Sequence, residues 1–405
     1  MRILIFSQYF APEVGATQAR MHAFAEGLAR RGHEVEVICG LPNHPQGVVH
    51  PGYRRRPVVR RADAGYSVSH VWVAATPKKT TLTRLGYYAS YAGSATLWGS
   101  VARRPDVIFA TSPPLPGAAA AAVVAARHRS PWVLDVRDLW LDAAVALGEL
   151  ANPRLLRLAE RLERRLYASA AAVTAVTRPF CAAIEAKTAD PSKVHLLPNG
   201  TTRLWVDGAK LEPTREELGL PDKKFVWTYA GNLGIAQGLE AAIDAAARLG
   251  DDYLLLLLGD GPVRAELEKR AAALAPGRVV FRDQVAPELA VRYLRASDAL
   301  LVPLAAQPAL EDFVPSKLFD CCAVGRPVIV AAAGEPQRMA AEAAAALPVA
   351  PGDPAELAEA VRRLAGDAEL RAALSTAGRA FGAGHLREVQ VERLEEILRA
   401  AVSPL

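Results

Sequence analysis

Apolar residues arrive along this chain in short runs separated by amphipathic stretches. Residues 2–6 read Arg-Ile-Leu-Ile-Phe. After a loop, 17–31 places Met21, Phe24, Ala25 and Leu28 at the three- and four-residue steps of a helix, and 34–38 is again an apolar run. Strand, helix and strand in that order predict a βαβ unit, the seed of a doubly wound parallel sheet. The grammar repeats with strands over 105–110, 132–135, 172–176 and 194–197 and helices over 117–126 and 179–187. From Pro198-Asn199-Gly200 to Pro221 the sequence is irregular and holds Pro and Gly, which marks a boundary. Beyond it the grammar restarts, with strands over 225–229, 253–258, 279–281, 299–302 and 328–330 and helices over 238–249, 262–275, 287–296 and 315–324. Helices over 354–382 and 386–402 finish the chain.

The pattern predicts an α/β protein of two Rossmann-like, doubly wound parallel-sheet domains. They span residues 1–200 and 201–385, with the terminal helix 386–405 packing back on the first. Open sheets of this kind bind ligands beyond the carboxyl ends of their strands, so the two are expected to face a central cleft. The length of 405 residues agrees, at roughly 100–200 residues per domain.

Composition removes several classes. The longest apolar tract, 117–126, stops at Arg127, well short of the ~20 residues of a membrane-spanning helix, and residues 1–6 are too short for a signal peptide. A cytoplasmic protein is expected, with peripheral attachment to the inner face of the membrane open to it. Cys39, Cys181, Cys321 and Cys322 are too scattered for a disulfide framework or a zinc site. The net charge of +5 hides a split: residues 1–200 hold 25 Lys and Arg against 14 Asp and Glu, and the remainder 23 against 29. Residues 51–105 alone carry Arg54, Arg55, Arg56, Arg60, Arg61, Lys78, Lys79, Arg84, Arg103 and Arg104 against the single acid Asp63. Such a patch suits an anionic partner, and a solvated basic face is the plain alternative. It has neither the interleaved aromatics nor the module of a nucleic-acid binder, so no nucleic acid is expected.

The loops after the strands carry the chemistry. The first, residues 7–20, has Gly15 before a helix and lacks G-x-G-x-x-G, and the second strand ends Cys39-Gly40 without an acid, which disfavours NAD. The second domain opens with Gly231-Asn232-Leu233-Gly234, then Gln237 and Gly238, a loop whose backbone can approach a phosphate. Gly259-Asp260-Gly261 follows the next strand, and Arg282-Asp283-Gln284-Val285 the one after it. The densest constellation is Asp312, Pro315-Ser316-Lys317 and Asp320, followed by Gly325-Arg326-Pro327. Pro315 beside Ser316 and Lys317 predicts a helix N-terminus with free N–H groups and a cation, a seat for a diphosphate. Asp320, a turn into the helix, can accept from vicinal ribose hydroxyls, and Asp312 can hold a sugar hydroxyl. For either carboxylate alone, a partner of the helix dipole is the duller reading.

Together, Gly231-Asn-Leu-Gly234 and the acid-x7-acid spacing of Asp312 and Asp320 around Pro315-Ser-Lys317 resemble the donor-binding domain of family 4 retaining glycosyltransferases of the GT-B fold. In the first half, Phe10-Ala-Pro-Glu13, Leu41-Pro-Asn-His44-Pro, Ala110-Thr-Ser-Pro-Pro114 and Val136-Arg-Asp-Leu-Trp140 resemble the branch that transfers N-acetylaminosugars such as N-acetylfucosamine in surface-polysaccharide assembly. The resemblance implies a UDP-sugar donor, with the base on Arg282, Gln284 and Val285, the diphosphate on Gly15, Asn232, Ser316 and Lys317, and the ribose on Asp320. Gly231, Gly234, Gln237, Gly259 and Pro315 complete the expected donor side. Lys317, Asp312 and Asp138 are the expected catalytic residues, and His22, His44 and Arg137 the acceptor-side candidates. The chain departs from the family in having Asp at both acidic positions where Glu is usual, Gln237 in place of a basic pair, Arg137-Asp138 where many relatives have His before an acid, and Leu141 where the branch has Pro.

No D-x-D triplet occurs, so neither a divalent metal nor another cofactor is expected. The implied reaction moves a sugar, of the N-acetylhexosamine type, from UDP to an acceptor hydroxyl, with a lipid-diphosphate acceptor as the preferred partner of the 51–105 patch. A soluble aminocyclitol acceptor, or epimerisation of the UDP-sugar on the same scaffold, fits the same residues. His195, within an apolar strand, reads as structural.

Overall fold

The computed structural model describes residues 1–403 other than 14, 45, 64, 79, 140 and 142–152. Lys79, Trp140 and the second proline of the Leu41-Pro-Asn-His44-Pro motif therefore lie outside the described residues. Two units account for the rest, one formed by Met1–Pro198 with Arg387–Leu405 and the other by Asn199–Leu386.

The first unit holds an eight-stranded sheet in the order β3-β4-β2-β1-β5-β6-β7-β8. Its strands are β1 Arg2–Phe6, β2 Glu34–Gly40, β3 Val58–Asp63, β4 Tyr66–Val71, β5 Val107–Ser112, β6 Trp132–Val136, β7 Ala172–Ala175 and β8 Val194–Leu196. The sheet is parallel except at its edge, where β3 pairs antiparallel with β4. β1, β5 and β6 are continuous apolar runs because helices cover both faces. On one face Phe24 and Leu28 of helix Ala16–Arg30 pack with Ile3, Ile5, Val37 and Leu394; on the other, Tyr91 and Ala121 pack with Leu4, Phe6 and Ile108. The terminal helix Arg387–Val402 packs on this unit through Val391, Leu394 and Leu398, and its Glu395 accepts from Arg31 and from His33 Nε2 at 2.9 Å, as well as from Arg399 of the same helix at 2.7 Å. Burial opposes ionisation of Glu395, but those bonds outweigh it and hold its carboxyl down to about 2.

The second unit holds a six-stranded parallel sheet in the order β11-β10-β9-β12-β13-β14. The strands are β9 Phe225–Ala230, β10 Tyr253–Leu258, β11 Val279–Arg282, β12 Ala299–Pro303, β13 Val328–Ala331 and β14 Leu347–Val349. The helical stretch expected over 354–382 is two helices, Pro354–Gly366 and Ala368–Gly384. Asp367 divides them: its carboxylate accepts from Leu370 N at 2.8 Å and caps the second. All four cysteines are buried and unpaired by disulfides. Among the described residues, no helix is long and apolar enough to cross a membrane.

Candidate functional site

In the second unit, β9 has β10 on one side and β12 on the other, so the sheet order reverses at β9 and the loops part there, the position at which open α/β sheets bind ligands. Gly231 (φ +138°) and Gly259 (φ +147°) take backbone conformations that other residues rarely adopt, and they touch: a Cβ on Gly259 would lie 1.9 Å from the Gly231 carbonyl oxygen. Gly231 N donates to Leu258 O and Gly259 N to Arg282 O, each at 2.9 Å, tying the ends of β9, β10 and β11 together.

Helix Lys317–Val324 brings the cation to this loop. Lys317 Nζ donates to the Tyr229 hydroxyl at 2.6 Å and lies 4.0 Å from the centre of that ring, and the hydroxyl in turn donates to Asn232 O at 2.6 Å. Burial pushes the Lys317 ammonium down to about 8, with Cys321 and Asp320 opposing the shift. Burial pushes the Tyr229 phenol up, so it stays protonated and keeps its donor role. Asp320 Oδ1 accepts from Thr201 Oγ1 at 2.7 Å, and Thr201 N is itself fixed by His385 O at 2.9 Å.

Gly231, Asn232, Gly259, Lys317 and Asp320 border a cavity of about 370 Å³, within the range of small-molecule sites of about 300–1,000 Å³. Of the donor-side residues expected from the sequence, Gly231, Asn232, Gly259, Gln284, Val285, Ser316, Lys317 and Asp320 line it, together with Trp205, Asp260 and Cys321. Gly234, Gln237, Arg282, Asp312 and Pro315 do not. Gln237 Oε1 accepts from Gly234 N at 3.2 Å and closes its own loop. Arg282 is exposed at the end of β11, its guanidinium beside Gly219. Asp312 is exposed in the turn after residues Pro308–Leu310. Pro315 precedes the helix, where its fixed φ suits a helix start.

Gly15 belongs to the first unit, where it caps helix Ala16–Arg30 with extended backbone. Arg20 of that helix is buried and donates to Asp135 Oδ1 at 3.0 Å and Oδ2 at 3.3 Å, and to Leu197 O and Pro198 O at 2.8 Å. Thr174 Oγ1 donates to Asp135 Oδ1 at 2.8 Å. Above this group, Arg137 donates to Thr111 Oγ1 at 2.8 Å and to Thr17 Oγ1. Burial brings the Arg137 guanidinium down to about 10, with Asp135 opposing and Arg20 adding to the shift. Burial also raises the Asp138 carboxyl, against the pull of Arg137. Sequence reading singled out Arg137 and Asp138 and missed Arg20 and Asp135; the available signal was an acid closing the apolar run of β6.

The histidines separate. His22 Nδ1 meets the Tyr66 hydroxyl at 2.8 Å, and since that hydroxyl donates to Asp63 Oδ2 at 3.0 Å, the imidazole is the donor. Its ring also packs near Phe10, so the geometry gives it a part in fixing the sheet edge. His44 lines a different cavity of about 230 Å³ with Tyr9, Tyr87, Tyr88, Lys78 and Arg84. The buried Glu13 carboxylate holds that loop by accepting from Asn43 N at 2.6 Å and His44 N at 2.7 Å. Among the described residues, no three His, Cys, Asp or Glu side chains gather as a metal-binding group.

Known proteins match in both units. Residues 15–200 match the glycosyl transferase 4-like domain and residues 211–381 the glycosyl transferases group 1. The putative colanic acid biosynthesis glycosyl transferase WcaI of Escherichia coli (strain K12) is 30% identical over 344 residues, 82% of this chain and 83% of its own. The chain belongs to the group 1 glycosyl transferases. The 2-deoxystreptamine glucosyltransferase of Streptomyces kanamyceticus is 27% identical to this glycosyltransferase over 254 residues, 60% of this chain and 64% of its own. In fold, the glycosyltransferase is similar to the crystal structure of Anabaena HepE in complex with UDP, at a TM-score of 0.72 and 19% identity over 99% of this chain and 100% of that one. Its fold is therefore GT-B.

Proposed function

We propose that this glycosyltransferase moves a sugar of the N-acetylhexosamine type from a UDP-sugar to an acceptor hydroxyl, with retention at the anomeric carbon and without a divalent ion. The observation that carries the reading is Lys317 at the mouth of a helix, held against Tyr229 beside the Gly231 and Gly259 backbones. Loss of UDP places negative charge on the β-phosphate, and a cation with preorganised N–H dipoles stabilises that charge most effectively where burial lowers the local dielectric. Lys317, Ser316 and the Asn232 backbone are assigned that task, Asp320 the ribose, Gln284 and Val285 the base, and Asp312 a sugar hydroxyl. The bond from the anomeric carbon to the diphosphate breaks, the bond to the acceptor oxygen forms on the same face, and the acceptor proton passes to the departing phosphate. Asp138 is assigned to the acceptor as a contact that orients its hydroxyl for that transfer.

The likeness to WcaI, a putative colanic acid biosynthesis glycosyl transferase, supports a role in surface-polysaccharide assembly, and a lipid-diphosphate is the acceptor we assign to it from the basic 51–105 segment. The likeness to the Streptomyces enzyme favours a second reading, transfer to a soluble aminocyclitol. A panel of UDP-sugars offered with each acceptor class in the presence of EDTA tests all of this. The expected product keeps the donor's anomeric configuration in its proton NMR couplings. An inverted product, an absolute need for magnesium, or conversion of the donor without any acceptor contradicts the proposal.

A further inference from the structure

Helix Thr81–Val101 buries one side of itself in the first unit: the Tyr91 hydroxyl donates to Ile38 O at 2.9 Å, and Ala74 N, just beyond β4, donates to Ser90 Oγ at 2.8 Å. The other side is open. Among its described positions, those exposed are apolar or glycine apart from Arg84, with Leu82 at 81%, Leu97 at 74% and Val101 at 79% exposure. Leu82, Leu85, Ala89, Gly93, Leu97 and Val101 follow one another at three- and four-residue steps and so form a single stripe along the helix. Water-facing stripes of this size mark contact surfaces.

The charge beside the stripe says what covers it. Lys78 precedes the helix, Arg103 and Arg104 follow it, and the Arg60 guanidinium lies 5.2 Å from the Trp98 ring on its flank. Trp72, half exposed, shares a cavity of about 420 Å³ with Arg54, Arg55 and Arg56. Two acids answer part of this charge, Glu36 3.6 Å from Arg60 and Glu34 3.5 Å from Arg103. The only acid between residues 51 and 105, Asp63, accepts from Tyr66. An apolar stripe rimmed by cations suits a surface that is apolar below and anionic above. A second copy of the chain, meeting this one through the same face, would instead bring like charges together. The helix is not long and apolar enough to cross a membrane, and lying along an interface is the arrangement that buries its whole stripe at once.

We propose that helix Thr81–Val101 lies in the interface of an anionic lipid bilayer, with Leu82, Leu85, Leu97 and Val101 in the acyl boundary and the flanking arginines on headgroup phosphates. This surface is independent of the donor chemistry. The test is co-sedimentation of the full chain with vesicles of phosphatidylcholine alone or mixed with phosphatidylglycerol. Alongside it run a Leu82→Gln, Leu97→Gln, Val101→Gln variant and an Arg54→Ser, Arg55→Ser, Arg56→Ser variant, each checked for unchanged melting and UDP binding. The native chain is expected on the mixed vesicles, and the apolar variant to lose affinity by roughly tenfold or more. Salt should remove at least the part of the affinity that the arginine variant loses, because it also screens Lys78, Arg60, Arg103 and Arg104. Native chain that ignores the mixed vesicles overturns the proposal. So does an apolar variant that binds them unchanged, including one whose only defect is loss of a solution dimer.

Discussion

The Lys317 ammonium and the Tyr229 hydroxyl stand 2.6 Å apart, and the same hydroxyl donates onward to the Asn232 carbonyl, so one phenol fixes both the cation and the glycine loop. Tyr229→Phe keeps the buried ring and removes both bonds. UDP affinity is expected to fall by about 1–2 kcal/mol with a smaller loss of melting temperature, read by calorimetric titration and thermal unfolding. Unchanged UDP affinity would show that the loop needs no such strut.

The lowered pKa of Lys317 sets a pH dependence. Without ligand the ammonium deprotonates near about 8, and a bound diphosphate favours its charged form. UDP affinity is therefore fully supported below that value and declines as pH rises through it. Titrations from about pH 7 to about pH 10 should show the decline in the native protein and a flatter profile in Lys317→Arg, whose guanidinium stays charged.

The two acids of the acid-x7-acid spacing are expected to separate by ligand. Asp320→Ala should weaken UDP by about 1.5–3 kcal/mol, because a carboxylate partner of hydroxyl groups is lost. Asp312→Ala should spare UDP and weaken only the sugar-bearing donor. Equal losses for both ligands in both variants count against the assignment.

Arg20 and Asp135 make a prediction about stability. Both are buried, and Asp135→Ala removes the carboxylate to which Arg20 Nε and Nη2 and Thr174 Oγ1 donate, at an expected cost of about 3–5 kcal/mol in denaturant unfolding. Removing both partners should cost less than the two single losses added together.

Much of this was legible in the sequence where burial on both faces produces continuous apolar runs, as in β1, β5, β9 and β10. β3, β4 and β14 were not. β3, the exposed edge strand, reads Val-Val-Arg-Arg-Ala-Asp, and β4, although buried at five of its six positions, carries Ser67, Ser69 and His70 among its apolar residues, which breaks the continuous apolar run. Helix Thr81–Val101 escaped for the opposite reason: its outer face is apolar too, so the two-sided contrast that reveals a helix is missing. At the site, Gly231, Asn232, Gly259, Ser316, Lys317 and Asp320 were identified from loop position and residue type, and they line one cavity. Gln237 and Arg282 were not separable from them by sequence, because a loop position does not say which way a long side chain turns. The Lys317–Tyr229 bond was equally out of reach, since it joins residues 88 positions apart.

The central claim, a metal-independent UDP site built around Lys317, is tested most directly by calorimetric titration of UDP into the native protein and Lys317→Met at pH 7 in EDTA. Saturable binding by the native protein and a loss of about 1.5–3 kcal/mol in the variant is the predicted result. No binding to folded native protein, or equal affinity in the two, contradicts it.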